Sequence, residues 1–417
     1  MAHWTLDPAV TFLNHGSFGA CPRVVLERQS ELRAQLEREP VRFFVREMEP
    51  LLDEARTALA RFLQADPAGL AFVPNATAGV NTVLRSLRFA PGDELVVTDH
   101  EYNACRNALD AVAEGADAVV RVVTIPFPIA GPEVVTERIL AAFGPRTRLL
   151  LLDHVTSPTA LILPVAEIAA ACAARGVDLL VDGAHAPGTI ELDLDRLAAL
   201  GVTYYTGNLH KWVCAPKGAG FLFVRCDRRA QITPLSTSHG RNSTRADRSR
   251  FHLNFDWTGT GDPTPYLCVP AALETMASFV PGAWPEIRAR NHALVIEGRR
   301  LVQAALDTAL DAALDSAAGR ATTVPSPEEM LGSMASVPLP DEPVENALLP
   351  SREANEIGPL QEFLWREHAI EVPISPRPGP GRGRRVVRIS AQLYNASDQY
   401  EALAEALVAG LRAETKR

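Results

Sequence analysis

Lysine is nearly missing from this chain. Only Lys211, Lys217 and Lys416 occur in 417 residues, and the other 38 of its 41 basic residues are arginine. Where charge alone is needed, arginine serves. A retained lysine is therefore a candidate for chemistry that arginine cannot do. Arginine stays protonated, whereas a partly buried lysine can release its proton and become a nucleophilic amine. Lys416 lies in a polar tail, and Lys217 precedes a Gly-Ala-Gly turn. Lys211 sits between His210 and Trp212, directly after the aromatic strand-like run VTYYTGN.

Other absences narrow the function. The six cysteines are scattered, with no C-x-x-C pair. Free thiols in a reduced, cytoplasmic protein are the expectation. No H-E-x-x-H spacing occurs, so no metal is expected. No apolar run approaches the roughly 20 residues that span a membrane. The opening MAHWTLDPAV has no basic segment before an apolar stretch, so no secretory leader is expected. A net charge of −9 and a pI near 5.7 argue against a nucleic-acid partner. Neither G-x-G-x-x-G nor G-x-x-x-x-G-K-[ST] follows a strand, which weighs against nicotinamide and nucleoside triphosphates.

What is present is a large apolar fraction, 47% of residues, enough for a sizeable core. Seven apolar runs predict strands: LAFVP, ELVVTD, AVVRVVTIP, TRLLLLDHV, DLLVDGA, VTYYTGN and GFLFVR. Amphipathic stretches near 22–38, 48–64, 104–114, 132–143, 165–175 and 195–200 predict helices, with another opening near Thr77. Such alternation predicts an α/β fold with a mostly parallel sheet covered on both faces. GFLFVR follows VTYYTGN too closely for a crossover helix and is expected to run antiparallel. Residues 230–265 read as an Arg-rich loop, and 268–316 as a long helical region. Beyond about 320 the pattern changes. A strand near 331–338, a helix near 353–368, strands EVPIS and VVRISAQ, and a helix over 397–412 predict a small α+β domain. The division is expected at 290/291, giving a large domain of 1–290 and a small one of 291–417, with segment 1–20 joining the active site or the small domain. The run PRPGPGRGRR (376–385) is expected to be a mobile loop.

Ligands of parallel sheets gather at the carboxyl ends of strands. Asp182 ends VDLLVD, where it either caps a loop or keeps a pyridinium nitrogen protonated. Asn75, Ala76 and Thr77 follow a strand and open a helix, either as an ordinary N-cap or as an anion site. With Lys211, these residues offer an amine for an aldehyde, a carboxylate for a ring nitrogen and a cradle for a phosphate. Together they suggest pyridoxal phosphate.

DGAHAPG (182–188) followed by TGNLHKWVCAPKGAGFLF (206–223) resembles the cofactor signature of the class V aminotransferases, fold type I. The isopenicillin N epimerase-like branch is the most similar, through FLNHGSFGACP, PVRFFVREMEPLL, TDHEYNA and VVRISAQLYNASDQYEAL. The resemblance covers nearly the whole chain. It implies that Lys211 bonds the cofactor and moves the Cα proton, and that Asp182 pairs with the pyridine nitrogen. It places His185 near the cofactor's phenolic oxygen or the Schiff base, although a satisfied loop histidine is the alternative. Tyr102 would stack on the ring or else pack in the core. Thr77, Thr206 and His210 would bind the phosphate, with Ala76 contributing its backbone, and Thr260 would reach the phosphate of a neighbouring subunit. A homodimer is thereby implied. Arg388 would hold the substrate carboxylate, with Asn14 and His15 near the entrance.

Some positions depart from the pattern. Ser157 stands where related desulfurases often carry Asn near the cofactor, and Gly261 stands where epimerase-like relatives are expected to carry Arg. No cysteine follows Cys268, so a persulfide-forming thiolate on the loop before Arg388 is not expected. The implied reaction is Cα–H cleavage of a modified α-amino acid, ending in epimerisation or, alternatively, in C–S β-elimination or decarboxylation. Tyr102 and His15 are candidates for a second acid. The Arg-rich stretch 241–250 either binds an anionic substrate group or is a solvated loop.

Overall fold

The computed structural model describes residues 3–314, 324–342, 357–379, 381 and 383–414. Seven strands form the main sheet: β1 (Leu70–Val73), β2 (Glu94–Thr98), β3 (Val119–Val123), β4 (Thr147–Asp153), β5 (Asp178–Asp182), β6 (Val202–Asn208) and β7 (Gly220–Val224). Their spatial order is β1-β7-β6-β5-β4-β2-β3, and β7 runs antiparallel to both neighbours. The apolar runs are near-continuous because both faces of the sheet are covered. Alternate residues feed opposite cores. Leu149 and Leu151 join one cluster, while Leu150 and Leu152 join the other. The edge strand β3 leaves Val119 and Val122 exposed.

The covering helices are α1 (Arg23–Arg38), α2 (Met48–Leu63), α3 (Ala76–Ser86), α4 (Asn103–Gly115), α5 (Pro132–Ala141), α6 (Val165–Arg175), α7 (Leu194–Leu200), α8 (Val269–Ser278) and α9 (Ala283–Leu314). A π-helical turn, Phe43–Glu47, leads into α2. Most of 230–265 is irregular as expected, but Arg250–Phe255 is helical. Its Phe251, Leu253 and Phe255 are buried, a periodicity hidden among the polar residues around them.

A smaller C-terminal domain follows, with strands β8 (Met334–Leu339), β9 (Ile374–Pro376) and β10 (Arg385–Ser390) in the antiparallel order β9-β10-β8. Helices α10 (Pro359–His368) and α11 (Ser397–Glu414) cover it. Residues 315–316, 353–356, 380, 382 and Lys416 of the sequence expectations lie outside the described residues. The expected division at 290/291 falls inside α9: Ile287 packs in the large core, whereas Val295 and Val302 pack in the small one. The N-terminal segment spans the two. Leu13 is part of the small core, and Thr11–Phe12 pair in parallel with Ile370–Glu371.

Candidate active site

The cleft forms where β4, β5 and β6 end. Parallel register sets Asp153 beside Asp182, and Asp182 beside Thr206. Asp182 is buried. Its Oδ1 accepts from the Ala184 N–H at 2.9 Å and its Oδ2 from the Cys105 thiol at 3.1 Å. Burial raises its pKa, while these two hydrogen bonds and the charge of Lys211 oppose the rise.

Lys211 follows the end of β6 by three residues and is held from behind by the N-terminal segment. Gly19, at φ 70°, lies so close that a Cβ would sit 2.2 Å from the His210 carbonyl oxygen and 2.9 Å from the Lys211 Cα. His15 contacts the Lys211 carbonyl through Nε2 at 3.1 Å. The Lys211 Nζ lies 3.1 Å from His185 Nε2. Burial lowers Lys211 from 10.5 to about 7, helped by the charge of Arg388 and opposed by Asp182. Burial also holds His185 neutral, again helped by Lys211. The second nitrogen of His185, Nδ1, is buried without a partner. It is a polar atom left for a ligand to satisfy.

The first turn of α3 supplies an anion cradle. Asn75 caps it by accepting from the Ala78 N–H at 2.8 Å, and the Ala76 N–H donates to Asn208 Oδ1 at 2.8 Å. Thr77 stands at the second position of this turn, at the positive end of the helix dipole, where its N–H and hydroxyl would meet an anion. His210 bonds the Ala219 carbonyl through Nδ1 at 3.1 Å and is pulled down to about 4 by burial. An anion facing its Nε2 would favour the protonated ring.

Arg388, on β10, is buried with only neutral acceptors. Its guanidinium donates to the carbonyl oxygen and Oγ of Ser157 at 2.7 and 3.1 Å, to Ser17 Oγ at 2.9 Å and to Asn14 Oδ1 at 3.4 Å. Its Nε has no partner, and no carboxylate among the described residues pairs with it. Burial brings it down to about 10, so it stays charged at neutrality. A buried uncompensated cation calls for an anion. Tyr102 is 40% exposed and near enough for the charges of Asp182 and Arg388 to act on its hydroxyl. Core packing does not describe it.

Several sequence expectations change. The Thr206 hydroxyl donates to the Phe221 carbonyl at 2.7 Å and lies against Gly79, one turn below the cradle. Asn208, not singled out from the sequence, reaches the cradle instead. Ser157 was expected to face the cofactor but supports Arg388. His15 is fully buried, with both nitrogens engaged: Nδ1 contacts the Tyr394 hydroxyl at 2.7 Å, and burial lowers the ring to about 3. It braces Lys211 and serves neither as an entrance residue nor as a second acid. Three of the four arginines in the Arg-rich stretch are engaged within the protein. Arg245 pairs with Glu49 and Asp247, Arg248 with Asp53 and Asp256, and Arg250 with two backbone carbonyls. Thr260 is exposed on the 258–262 loop. Ser17, Cys105, Glu101 and Asp153 also belong to the cleft. Ser17 and Glu101 sit inside quoted motifs, but only the fold shows where their side chains meet.

A lysine amine, a buried carboxylate and a helix-borne anion cradle at a parallel-sheet crevice define the fold type I class of pyridoxal-phosphate enzymes. The residues fit that cofactor: the orphaned His185 Nδ1, the N-terminal turn of α3 and the Lys211 amine each answer one of its groups. The "Aminotransferase class-V" family model matches residues 12–255. The isopenicillin N epimerase of Streptomyces clavuligerus is 37% identical over 412 residues, covering 96% of this chain and 95% of that one. A probable chloroplastic L-cysteine desulfhydrase of Arabidopsis thaliana is 31% identical, covering 96% of this chain and 83% of its own. Among solved structures, the cystine C–S lyase C-DES, in complex with cysteine persulfide, superposes with a TM-score of 0.73 at 22% identity, covering 96% of this chain and 97% of that one. The chain belongs to the class V aminotransferase family, and it is a pyridoxal-phosphate enzyme of the epimerase or C–S lyase type.

Proposed function

We propose that this enzyme removes the Cα proton of a modified α-amino acid and returns a proton with inversion. One observation carries the reading: a buried amine, poised near neutrality, stands beside a neutral histidine in a cleft that also holds an uncompensated arginine. Bound pyridoxal phosphate supplies an electron sink for the charge left at Cα. The chain's residues do the rest. Lys211 anchors the cofactor and then, as a free amine, takes the proton from one face of Cα, and Tyr102, the remaining candidate for the second acid, is proposed to supply a proton to the other. Asp182 holds the proton of the ring nitrogen. His185 bonds the phenolic oxygen through its open nitrogen. Thr77 and His210 hold the phosphate, Asn75 and Asn208 shape its cradle, and Tyr102 covers the ring. Arg388 binds the substrate carboxylate, braced by Asn14, Ser17 and Ser157.

The second reading is C–S β-elimination, supported by relatives named as desulfhydrases. The same base and the same carboxylate clamp serve both. Persulfide transfer is disfavoured because no cysteine follows Cys268. We further propose a homodimer. The exposed Leu235 lines a cavity of about 310 Å³ with Phe44, Phe72 and Trp257, beside the loop that carries Thr260, and the exposed Val45 lines the neighbouring cavity, which shares Phe44 and Trp257. The two units are proposed to divide within α9.

A panel of D- and L-amino acids and cysteine S-conjugates in deuterated water tests the reading. Inverted, Cα-deuterated product supports epimerisation. Pyruvate with ammonia identifies elimination. Finding neither Cα exchange nor pyruvate with any compound contradicts both.

A further inference from the structure

The region behind Asp182 carries more acid than one ring nitrogen needs. Asp153 is its register neighbour on β4, and Glu101 stands at the mouth of α4. One Glu101 oxygen, the Cys105 sulfur and one Asp182 oxygen lie within 4.8 Å of one another. Both Glu101 oxygens and Asp153 Oδ2 are buried without a hydrogen-bond partner of normal geometry. Glu101 and Asp153 do face each other, which is a hydrogen bond only if one of them carries a proton. Three carboxylates this close cannot all ionise. Asp182 has the donors, from Ala184 and Cys105, and so keeps the charge. The other charged or titratable groups facing it are Tyr102 and Cys105 from the α4 end, His185 from the loop after β5, Tyr205 from β6, Lys211 from the following turn and, further out, Arg388 from β10.

We infer that Asp153 is a reserve carboxylate: it and Glu101 are both protonated while Asp182 is charged, and Asp153 releases its proton to solvent and takes up the negative charge when Asp182 is neutralised. Charge repulsion from Asp182 and burial both push the Asp153 and Glu101 carboxyls far above the usual range. Removing the Asp182 charge removes one of those causes, so Asp153 then loses its proton more easily. Asp153 is thus a positioning residue that keeps one negative charge at the strand ends. This inference rests on the proposed pairing of Asp182 with the ring nitrogen.

The test loads purified wild type, Asp182→Asn, Asp153→Asn and Asp182→Asn/Asp153→Asn proteins with pyridoxal phosphate labelled with ¹⁵N at the ring nitrogen. The ¹⁵N shift reports the ring proton, and equilibrium dialysis reports affinity. Asp153→Asn, a neutral mimic of the protonated acid, should match wild type in both. Asp182→Asn should retain a fraction of protonated ring nitrogen and bind about tenfold more tightly than the double variant, the factor that ~1.4 kcal/mol represents. The inference is overturned if Asp182→Asn and the double variant are identical in shift and affinity while wild type shows a protonated nitrogen. An unprotonated nitrogen in wild type would instead overturn the Asp182 pairing itself, and this inference with it. Circular dichroism of each variant separates misfolding from lost charge.

Discussion

At the residue scale, the site is a set of groups held in unfavourable charge states. Lys211 is the clearest. Its ordinary pKa of 10.5 is lowered to about 7, chiefly by burial. Between those values the unfolded chain binds a proton that the folded apoprotein does not, so stability rises with pH. Below about 7 both states are protonated, and the full cost of burying the ammonium remains. Lys211→Met should therefore stabilise the cofactor-free protein most at pH 6, with the advantage shrinking as pH approaches 10; thermal melts across that range measure it. A constant difference would show that Lys211 is not desolvated. The scarcity of lysine made Lys211 visible in sequence, and a strand-end carboxylate made Asp182 visible. Asn208 was not, because Thr206 is an equally good phosphate ligand by type. Alternation puts both on the same face of the strand, and only the position along it decides which side chain reaches the cradle and which lies under Gly79.

At the element scale, the short helix His15–Phe18 and its flanks carry more of the site than their length suggests. They bring Asn14 and Ser17 to Arg388, put His15 behind Lys211, and seat Gly19 against the Lys211 backbone. Gly19 has a positive φ and no room for a Cβ, so Gly19→Ala should cost about 1–3 kcal/mol. Because the clash is with the Lys211 Cα and the His210 carbonyl, the rate should fall more than stability explains. Comparing kcat at a temperature where both proteins are folded checks this, and a Gly19→Ala enzyme with wild-type kcat would refute the contact. The segment FLNHGSFGACP read as a motif, but its reach of nearly 200 residues to Lys211 depends on tertiary contacts that no periodicity reports. The same holds for Asp153 and Asp182, which are 29 residues apart and become neighbours only through the β4–β5 register.

At the scale of the whole molecule, most of the fold was legible. Seven runs predicted seven strands and the antiparallel one among them, because buried parallel strands have a distinctive, nearly continuous apolar pattern. The helix within 230–265 was hidden because its buried residues are few and surrounded by arginines that pair locally. The proposed dimer places the exposed side chain of Val45, on the π-helical turn, at the contact. Val45→Glu should shift sedimentation toward monomer and weaken phosphate-dependent cofactor retention, since Thr260 would no longer reach the neighbouring site. A dimeric Val45→Glu protein would move the interface elsewhere. The central claim is that Lys211 carries the cofactor. Borohydride reduction of the holoenzyme, followed by peptide mass spectrometry, tests it most directly. The account predicts a phosphopyridoxyl group on Lys211 alone; the group on Lys217, or on no lysine, would contradict it.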